Sequence, residues 1–588
     1  MGELFQLHIA TELAPIVSLP PTSILPFIER NRRPFKEPGQ FTLPVAKLIS
    51  LYRQDPETKC SHSNLTPAAL AASIASRWVP TSHVRAVTAT SDHLSFHVDS
   101  RLFISSILGA VRSGELSRPE KSRNHSAIVE REEEVVIEFD FPNIGQVFSS
   151  RYWRSLAVAA FVERCCKLRS QNGKLRCKIG IWNKHTEILL LACQRNGFED
   201  GPYTPLVLHK NFERTLEDIT TNPTLLLRSK KLLYDLYCGI PAIVEMWSRA
   251  WEAWRDSFAP VLERMGISGQ LETDELICKD RVDRFLTFLQ EAGLLKPGRN
   301  AGEQIVDLRD WQLGTALLMT GDGVPTQVLV DAVISMERGE CHVSKTYVVA
   351  EIGRQYSFQQ SRKLVELVES GIHDLIDAPF GKIYDMDMRT SEPVLSPEPY
   401  LNCAKMYMED IMREKESSIG EHVENELVTQ NNAPDMIGLT ALLFQTYQPR
   451  RTKNFSYNWS RIVSNESDIG VYIQYTHARL ASVLCHAPPP NPEVDITPLL
   501  STPIPLALVS KLSRYPHVLF TTLNTHDPSV LVTYLVELSR EVGSCLSGIR
   551  VKGQSNEVKE ARAELVRAIQ TVISWGLSLL GVKGVDRM

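Results

Sequence analysis

The chain has 588 residues, 43% of them apolar and 23% charged, and a formal net charge of −5. That length allows roughly three or four globular domains, and the charge excludes a globally basic nucleic-acid binder, so contacts with polyanions have to come from local patches. The eleven cysteines are odd in number and irregular in spacing, with Cys165 beside Cys166 and no Cys-x-x-Cys pair, which implies reduced thiols in an intracellular protein and excludes a disulfide framework or a zinc site; no metal is expected.

Met1 to Pro20 contains Glu3, His8 and Glu12 and no Arg, so it reads neither as a secretory signal nor as a mitochondrial leader. No apolar run reaches the ~20 residues of a membrane span. A cytoplasmic protein without a membrane partner is expected. Thr66-Pro67 opens a helix-forming run through Ala75, with Thr66 as N-cap and Pro67 at the first helical position. Val84 to Thr90 and His93 to Val98 alternate as strands do. Residues 113–134 are polar and read as a linker. Val135 to Phe139 is a buried-type strand, and Trp153 to Arg169 is helix-forming. The apolar runs Ile188–Leu191 and Tyr347–Ala350 alternate with helical segments, an order that suggests an open α/β sheet with crossover helices. Beyond about residue 400 the pattern is helical: Leu401–Lys415, Ala433–Tyr447, Ile469–Cys485 and Asn556–Leu580 carry helical apolar spacing. Pro488-Pro489-Pro490-Asn491-Pro492 is an exposed loop.

Two neighbouring segments carry a resemblance, Phe455-Ser456-Tyr457-Asn458-Trp459-Ser460-Arg461 and Asp468-Ile469-Gly470-Val471-Tyr472-Ile473-Gln474-Tyr475-Thr476-His477-Ala478-Arg479-Leu480. They closely resemble the entry to the C-terminal helical domain of arginyl-tRNA synthetases, which grips the anticodon side of tRNA. Phe41-Thr42-Leu43-Pro44-Val45-Ala46-Lys47-Leu48 resembles their N-terminal domain, which leans on the tRNA elbow, and the terminal Arg587-Met588 resembles their ending. The resemblance covers most of the chain. It implies an α/β fold: a class I synthetase-like Rossmann core at 135–399, a small α+β N-terminal domain at 1–112 and an all-α, anticodon-binding-like domain at 400–588. The implied partner is tRNA, with neither DNA nor a membrane.

Against that family the ATP signatures depart in four places. Phe141-Pro142-Asn143-Ile144-Gly145-Gln146-Val147-Phe148 resembles the loop leading to His-Val-Gly-His, but Ser149-Ser150-Arg151-Tyr152 follows, before a matching Arg154-Ser155. In the family the histidines stabilise charge on the ATP phosphates and the glycine lets adenine lie against the backbone; Arg151 obstructs that approach, and Tyr152 is no cationic donor near neutral pH. Lys178-Ile179-Gly180-Ile181-Trp182-Asn183 stands for Tyr-Leu-Gly-Asp-Trp-Gly. Gln327-Val328-Leu329-Val330-Asp331 keeps only the Asp of Tyr-x-Thr-Arg-Asp. Met386-Asp387-Met388-Arg389-Thr390-Ser391 stands near the place of Lys-Met-Ser-Lys. There is no P-loop, G-x-G-x-x-G, H-E-x-x-H or G-x-S-x-G to replace them, so no cofactor is expected.

On the tRNA side, Trp459, Tyr472, Gln474, Tyr475 and Arg479 offer stacking and charged contacts to unstacked bases; the alternative is that they pack the domain's own helices. Arg450, Arg451 and Lys453 form a basic loop suited to phosphate or to plain solvent. Three functions are compatible. The first is an enzyme that takes preformed arginyl-tRNA, with a second aminoacyl-tRNA as an option, and makes an amide or an arginine-containing cyclodipeptide without ATP, by analogy with cyclodipeptide synthases. Ser149 or Ser150 would hold the aminoacyl ester, and Tyr152, His185 or Asp331 would move protons; as plain structure, these are paired polar groups. The second is a non-catalytic tRNA-binding protein. The third is a divergent arginine–tRNA ligase. The first is favoured, because the core keeps its full length.

Overall fold

The computed structural model describes residues 2–31, 39–54, 66–90, 92–118, 133–196, 203–267, 271–277, 279–341, 343–368, 374–388, 390–419, 433–460 and 469–588. Most of the expected linker, together with Arg389, Arg461 and Asp468, lies outside these residues.

The N-terminal module begins with helix α1 (Gly2–Val17) and continues through β1 (Glu29–Arg30), β2 (Phe41–Pro44), α2 (Val45–Gln54), α3 (Pro67–Arg77), β3 (Val84–Ala89), β4 (His93–Val98) and α4 (Ser100–Arg112). Its sheet is antiparallel in the order β1-β2-β4-β3. Thr66 caps α3 as its sequence implies, its hydroxyl accepting the Ala69 amide at 3.3 Å.

The core sheet begins with β5 (Glu133–Asp140), followed by α5 (Ser150–Leu168) and β6 (Gln171–Lys178). Helix α6 (Lys184–Asn196) contains Ile188–Leu191, so that run is helical and not a strand. All four of its residues are buried; the helix is enclosed on more than one side, and an unbroken apolar run does not distinguish that from a buried strand. Helices α7 (Pro205–Thr221), α8 (Pro223–Tyr237), α9 (Pro241–Asp256), α10 (Ala259–Arg264) and α11 (Lys279–Glu291) follow, then an antiparallel sheet of β7 (Leu295–Pro297), β8 (Gln304–Asp307) and β9 (Thr315–Met319). Helix α12 (Gln327–Glu340) returns the chain to β10 (Lys345–Val349), α13 (Gln355–Val368) and β11 (Asp374–Asp377). The sheet order is β11-β10-β5-β6, all parallel. The chain leaves β5 for β6 on one side and comes back to β10 on the other. That reversal opens a crevice at the C-terminal ends of β5 and β10, the place where open α/β sheets bind ligands.

Strand β12 (Ile383–Tyr384) pairs with β13 (Phe455–Ser456) and ties the core to the helical module. That module holds α14 (Glu398–Ile419), α15 (Ala433–Tyr447), α16 (Ile469–Leu484), α17 (Pro503–Ser513), α18 (Tyr515–Thr525), α19 (Pro528–Cys545) and α20 (Asn556–Leu579). At Gly470 a Cβ would come within 3.0 Å of Phe444 Cβ and the Thr440 carbonyl, so α16 rests directly on α15. Among the described residues no helix is long and apolar enough to cross a membrane.

Candidate functional site

The crevice is crossed by charge. Asp140, the last residue of β5, has a side chain only 1% exposed; its Oδ2 accepts Arg151 Nη2 at 2.8 Å and its Oδ1 accepts Arg354 Nη1 at 2.8 Å. Arg151 thus reaches from the first turn of α5 across the strand ends. Its Nε lies 3.7 Å from Glu351 Oε2, just past the end of β10, and Lys382 Nζ lies 3.5 Å from Glu351 Oε1. Desolvation works to lower the Arg151 pKa, but the Asp140 carboxylate outweighs it and raises it.

The N-terminus of α5 has its own anion. Asp387 Oδ1 accepts the Ser150 amide at 2.5 Å and Tyr400 Oη at 3.1 Å, and Ser150 Oγ donates to the Ile383 carbonyl at 3.1 Å and lies 3.4 Å from Asp387 Oδ2. A carboxylate at this position meets the positive end of the helix dipole. The strap that carries it is fixed: Met386 is fully buried, and Trp459 Nε1 donates to its carbonyl at 3.2 Å.

Arg154 sits one turn further along α5. It is buried, and its guanidinium donates to the carbonyls of Gly381, Lys453 and Arg451 at 2.7, 3.0 and 3.0 Å while stacking over Phe455. Burial lowers its pKa to about 10.

Beside the crevice lies a buried ionic cluster. Lys178 Nζ is 2.6 Å from Asp331 Oδ2 and 3.1 Å from Glu138 Oε1, and Arg338 links Glu138 at 2.7 Å to Asp274 at 2.8 Å. Despite burial, which acts to raise it, the Glu138 carboxyl is held at about 2 by Lys178 and Arg338. Glu275 Oε2 accepts the amides of Ile179 and Gly180 at 2.7 Å each, and Gln327 Nε2 bridges Glu275 to Asp331. Burial pushes Glu275 up to about 7. A carboxyl raised on folding binds more protons in the native state between about pH 4.5 and 7, so it adds stability at low pH that is lost as pH rises through that window. Glu275→Gln should therefore gain stability relative to the unaltered protein between pH 5 and pH 8, by about 1–3 kcal/mol, measured by urea unfolding across that range.

The five residues expected to be catalytic do not form one constellation; among the described residues no side-chain hydrogen bond links Ser149, Tyr152, His185 or Asp331 to one another, and the Tyr152 amide meets the Ser149 carbonyl only as part of the first turn of α5. Ser149 caps α5 by position but its hydroxyl makes no capping bond. Ser150 is consumed by Ile383 and Asp387. Tyr152 donates to Gln146 Oε1 at 3.1 Å, and burial raises its phenol further from neutrality. His185, expected to move protons, has its Nε2 bonded to the Ile144 carbonyl at 2.9 Å and its ring stacked on Phe212, and burial lowers its pKa. With His209, which bonds the Gly145 carbonyl at 2.8 Å, it pins the loop before α5. Asp331 is likewise neutralised by Lys178. Sequence reasoning missed Asp140, Glu351, Arg354 and Glu275. The only local signal was an acid ending a buried strand before Pro142-Asn143.

Residues 119–459, more than half of the chain, match the family described as tRNA synthetases class I (R), catalytic domain. The chain belongs to the arginyl-tRNA synthetase family. Residues 473–588 match the DALR anticodon binding domain. The arginine–tRNA ligase of Saccharomyces cerevisiae cytoplasm is 27% identical over 471 residues, 77% of this chain and 76% of that protein. A probable cytoplasmic arginine–tRNA ligase of Dictyostelium discoideum is 24% identical and covers 100% of both. In fold the chain is similar to the arginyl-tRNA synthetase of Thermus thermophilus, with a TM-score of 0.72 at 16% identity over 99% of both chains, and to that of Plasmodium falciparum, with a TM-score of 0.75 at 14% identity over 99% of both.

In this arginyl-tRNA synthetase family member the segment expected to touch tRNA divides in two. Gln474 is fully buried; its Nε2 donates to Thr440 Oγ1 at 3.0 Å and to the Lys583 carbonyl at 2.8 Å, and its Oε1 accepts the Val585 amide at 2.9 Å. It fastens the C-terminal segment and leaves no surface for RNA. Trp459 stacks on Tyr400 and holds the Asp387 strap. Tyr472 reaches the Ser539 carbonyl at 3.4 Å, and Arg451 donates to the Pro379 carbonyl at 2.6 Å. These four have structural partners. Arg450, Lys453, Tyr475 and Arg479 are exposed, with the Arg479 guanidinium 5.6 Å from the Tyr475 ring centre.

Proposed function

We propose that this chain uses preformed aminoacyl-tRNA, arginyl-tRNA first, to make an amide without ATP, a cyclodipeptide being formed when a second aminoacyl group joins. The observation that carries the reading is Arg151 lying across the crevice to Asp140, where a nucleotide would have to enter. Asp387 at the N-terminus of α5 supports it, since a fixed carboxylate repels a triphosphate. An aminoacyl ester already stores the energy for amide formation. Ser149 has the available hydroxyl. Its Oγ attacks the ester carbonyl, the aminoacyl group passes to serine, and the terminal ribose hydroxyl leaves with the proton. The α-amine of the second aminoacyl-tRNA then displaces Ser149, forming the first amide and returning the serine proton; the arginyl α-amine next attacks the remaining ester, closing the ring with a second amide while the second tRNA leaves with that proton on its ribose hydroxyl. Incubation with arginyl-tRNA and a second aminoacyl-tRNA, free of ATP, should give a new amide-bonded product by mass spectrometry; its absence ends the reading.

The second reading is a divergent arginine–tRNA ligase. It is favoured by the full-length similarity to proteins bearing that name. Both readings place tRNA on the exposed face at Tyr475 and Arg479. Tyr475→Ala should weaken tRNA binding by about 1–3 kcal/mol, the worth of one stacked base. Its melting temperature should stay unchanged, because Tyr475 is 43% exposed. Filter binding at several salt concentrations measures this, and affinity should fall steeply with salt.

A further inference from the structure

The acids around the crevice differ in what they have left to offer. Asp140 has a guanidinium on each oxygen. Asp331 is taken by Lys178 and Gln327, Glu275 by two amides and Gln327, and Asp387 by Ser150 and Tyr400. Glu351 is different. Its side chain is 18% exposed, and among the described residues its oxygens have only the ion-pair contacts to Arg151 and Lys382, at 3.7 and 3.5 Å. Facing it, Arg151 Nε is a buried donor with no hydrogen-bond partner. A buried N–H left unpaired is costly and calls for an explanation. Here an unmet donor and an acceptor with spare capacity face one another across the ligand-binding end of the sheet, separated by more than a hydrogen bond.

An α-aminoacyl ester presents the complementary pair. Its ammonium is a donor and its acyl oxygen an acceptor, both attached next to one another through Cα. We infer that Arg151 and Glu351 form a clasp for the aminoacyl group: Glu351 accepts from the α-ammonium and Arg151 Nε donates to the acyl carbonyl. Asp140 and Arg354 serve as positioning residues, holding the Arg151 guanidinium with its Nε toward Glu351. The clasp reads what every aminoacyl ester shares and ignores the side chain. A cationic donor on the carbonyl draws electron density from the carbon under attack and stabilises the oxyanion that follows. This inference rests on the reading that aminoacyl-tRNA is the substrate, and it gives Arg151 a role beyond closing the crevice.

The test is equilibrium binding of two non-hydrolysable probes to the full chain. One is the arginine amide of 3′-amino-3′-deoxyadenosine; the other is the same molecule made with des-amino-arginine, lacking only the α-amine. The unaltered protein should prefer the first by at least about ten-fold, the worth of a charge-assisted hydrogen bond. Glu351→Gln, which keeps the shape, should bring the two to equal affinity, and Glu351→Asp should recover part of the preference. Arg151→Met should weaken both probes alike. No preference in the unaltered protein, a preference that survives Glu351→Gln, or unchanged binding in Arg151→Met overturns the clasp. Amide product without ATP, combined with a preference indifferent to Glu351, sinks the clasp and leaves the reaction. A preference that follows Glu351 with no product sinks the reaction and leaves the clasp.

Discussion

Arg154→Met should be the most damaging single substitution in this chain, costing about 3–5 kcal/mol of stability, the range for breaking a buried charged network. The guanidinium satisfies carbonyls from two separate segments, Gly381–Lys382 and Arg450–Lys453, which no other side chain reaches in the described structure. Methionine fills much of the volume but donates nothing, so the Gly381 and Lys453 carbonyls would lose their donor, while those of Lys382, Arg450 and Arg451 keep the amides of Phe455, Lys453 and Gly381. The same bonds align β12 with β13 and set the strap whose Asp387 caps α5. Loss should therefore appear twice, as a lower melting temperature and as protease cleavage near residues 380–390. Arg154→Lys should recover little, because one ammonium cannot span both segments.

Lys178→Met should cost a comparable 3–5 kcal/mol at neutral pH, for a different reason. It leaves Asp331 and Glu138 buried with one cation fewer. In the unaltered protein Lys178 is raised by Asp331 and Glu138, so its contribution is complete below about pH 10 and fades above that. Glu138, held at about 2, contributes above about pH 4.5 and loses that contribution as pH falls toward 2. In the variant the remaining carboxylates take up protons more readily, so the loss should shrink between pH 7.5 and pH 5.5. Urea unfolding at both values measures it. The double variant Lys178→Met, Asp331→Asn should recover much of the loss, since it removes the uncompensated charge with its partner.

Much of this architecture was legible in the sequence because its signals are local. The periodicity of Ala433–Tyr447 and the Thr66-Pro67 cap depend on residues a few positions apart, and the structure places both as expected. Ile188–Leu191 failed because burial on several sides erases periodicity. The site was legible only in part. Substitution of small or basic groups by Ser149, Arg151 and Tyr152 was visible, but what Arg151 does depends on Asp140, 11 positions away, and on Glu351 far along the chain. Gln474 and Trp459 look in sequence like ligands for RNA; only packing shows that one fastens the C-terminal segment and the other a core loop. Tyr475 and Arg479 share helix α16 with Gln474 but are exposed where Gln474 is buried, and the polar character of Gln474 hides its inward place from the sequence.

On the proposed ATP-free reading, Arg151 held to Asp140 leaves no entry for a nucleotide at the crevice. Arginine-dependent exchange of pyrophosphate into ATP, measured with tRNA present, addresses it most directly. No exchange above that of a protein-free control is expected, from a preparation that still binds tRNA. Exchange at the rate of a working ligase would contradict that reading.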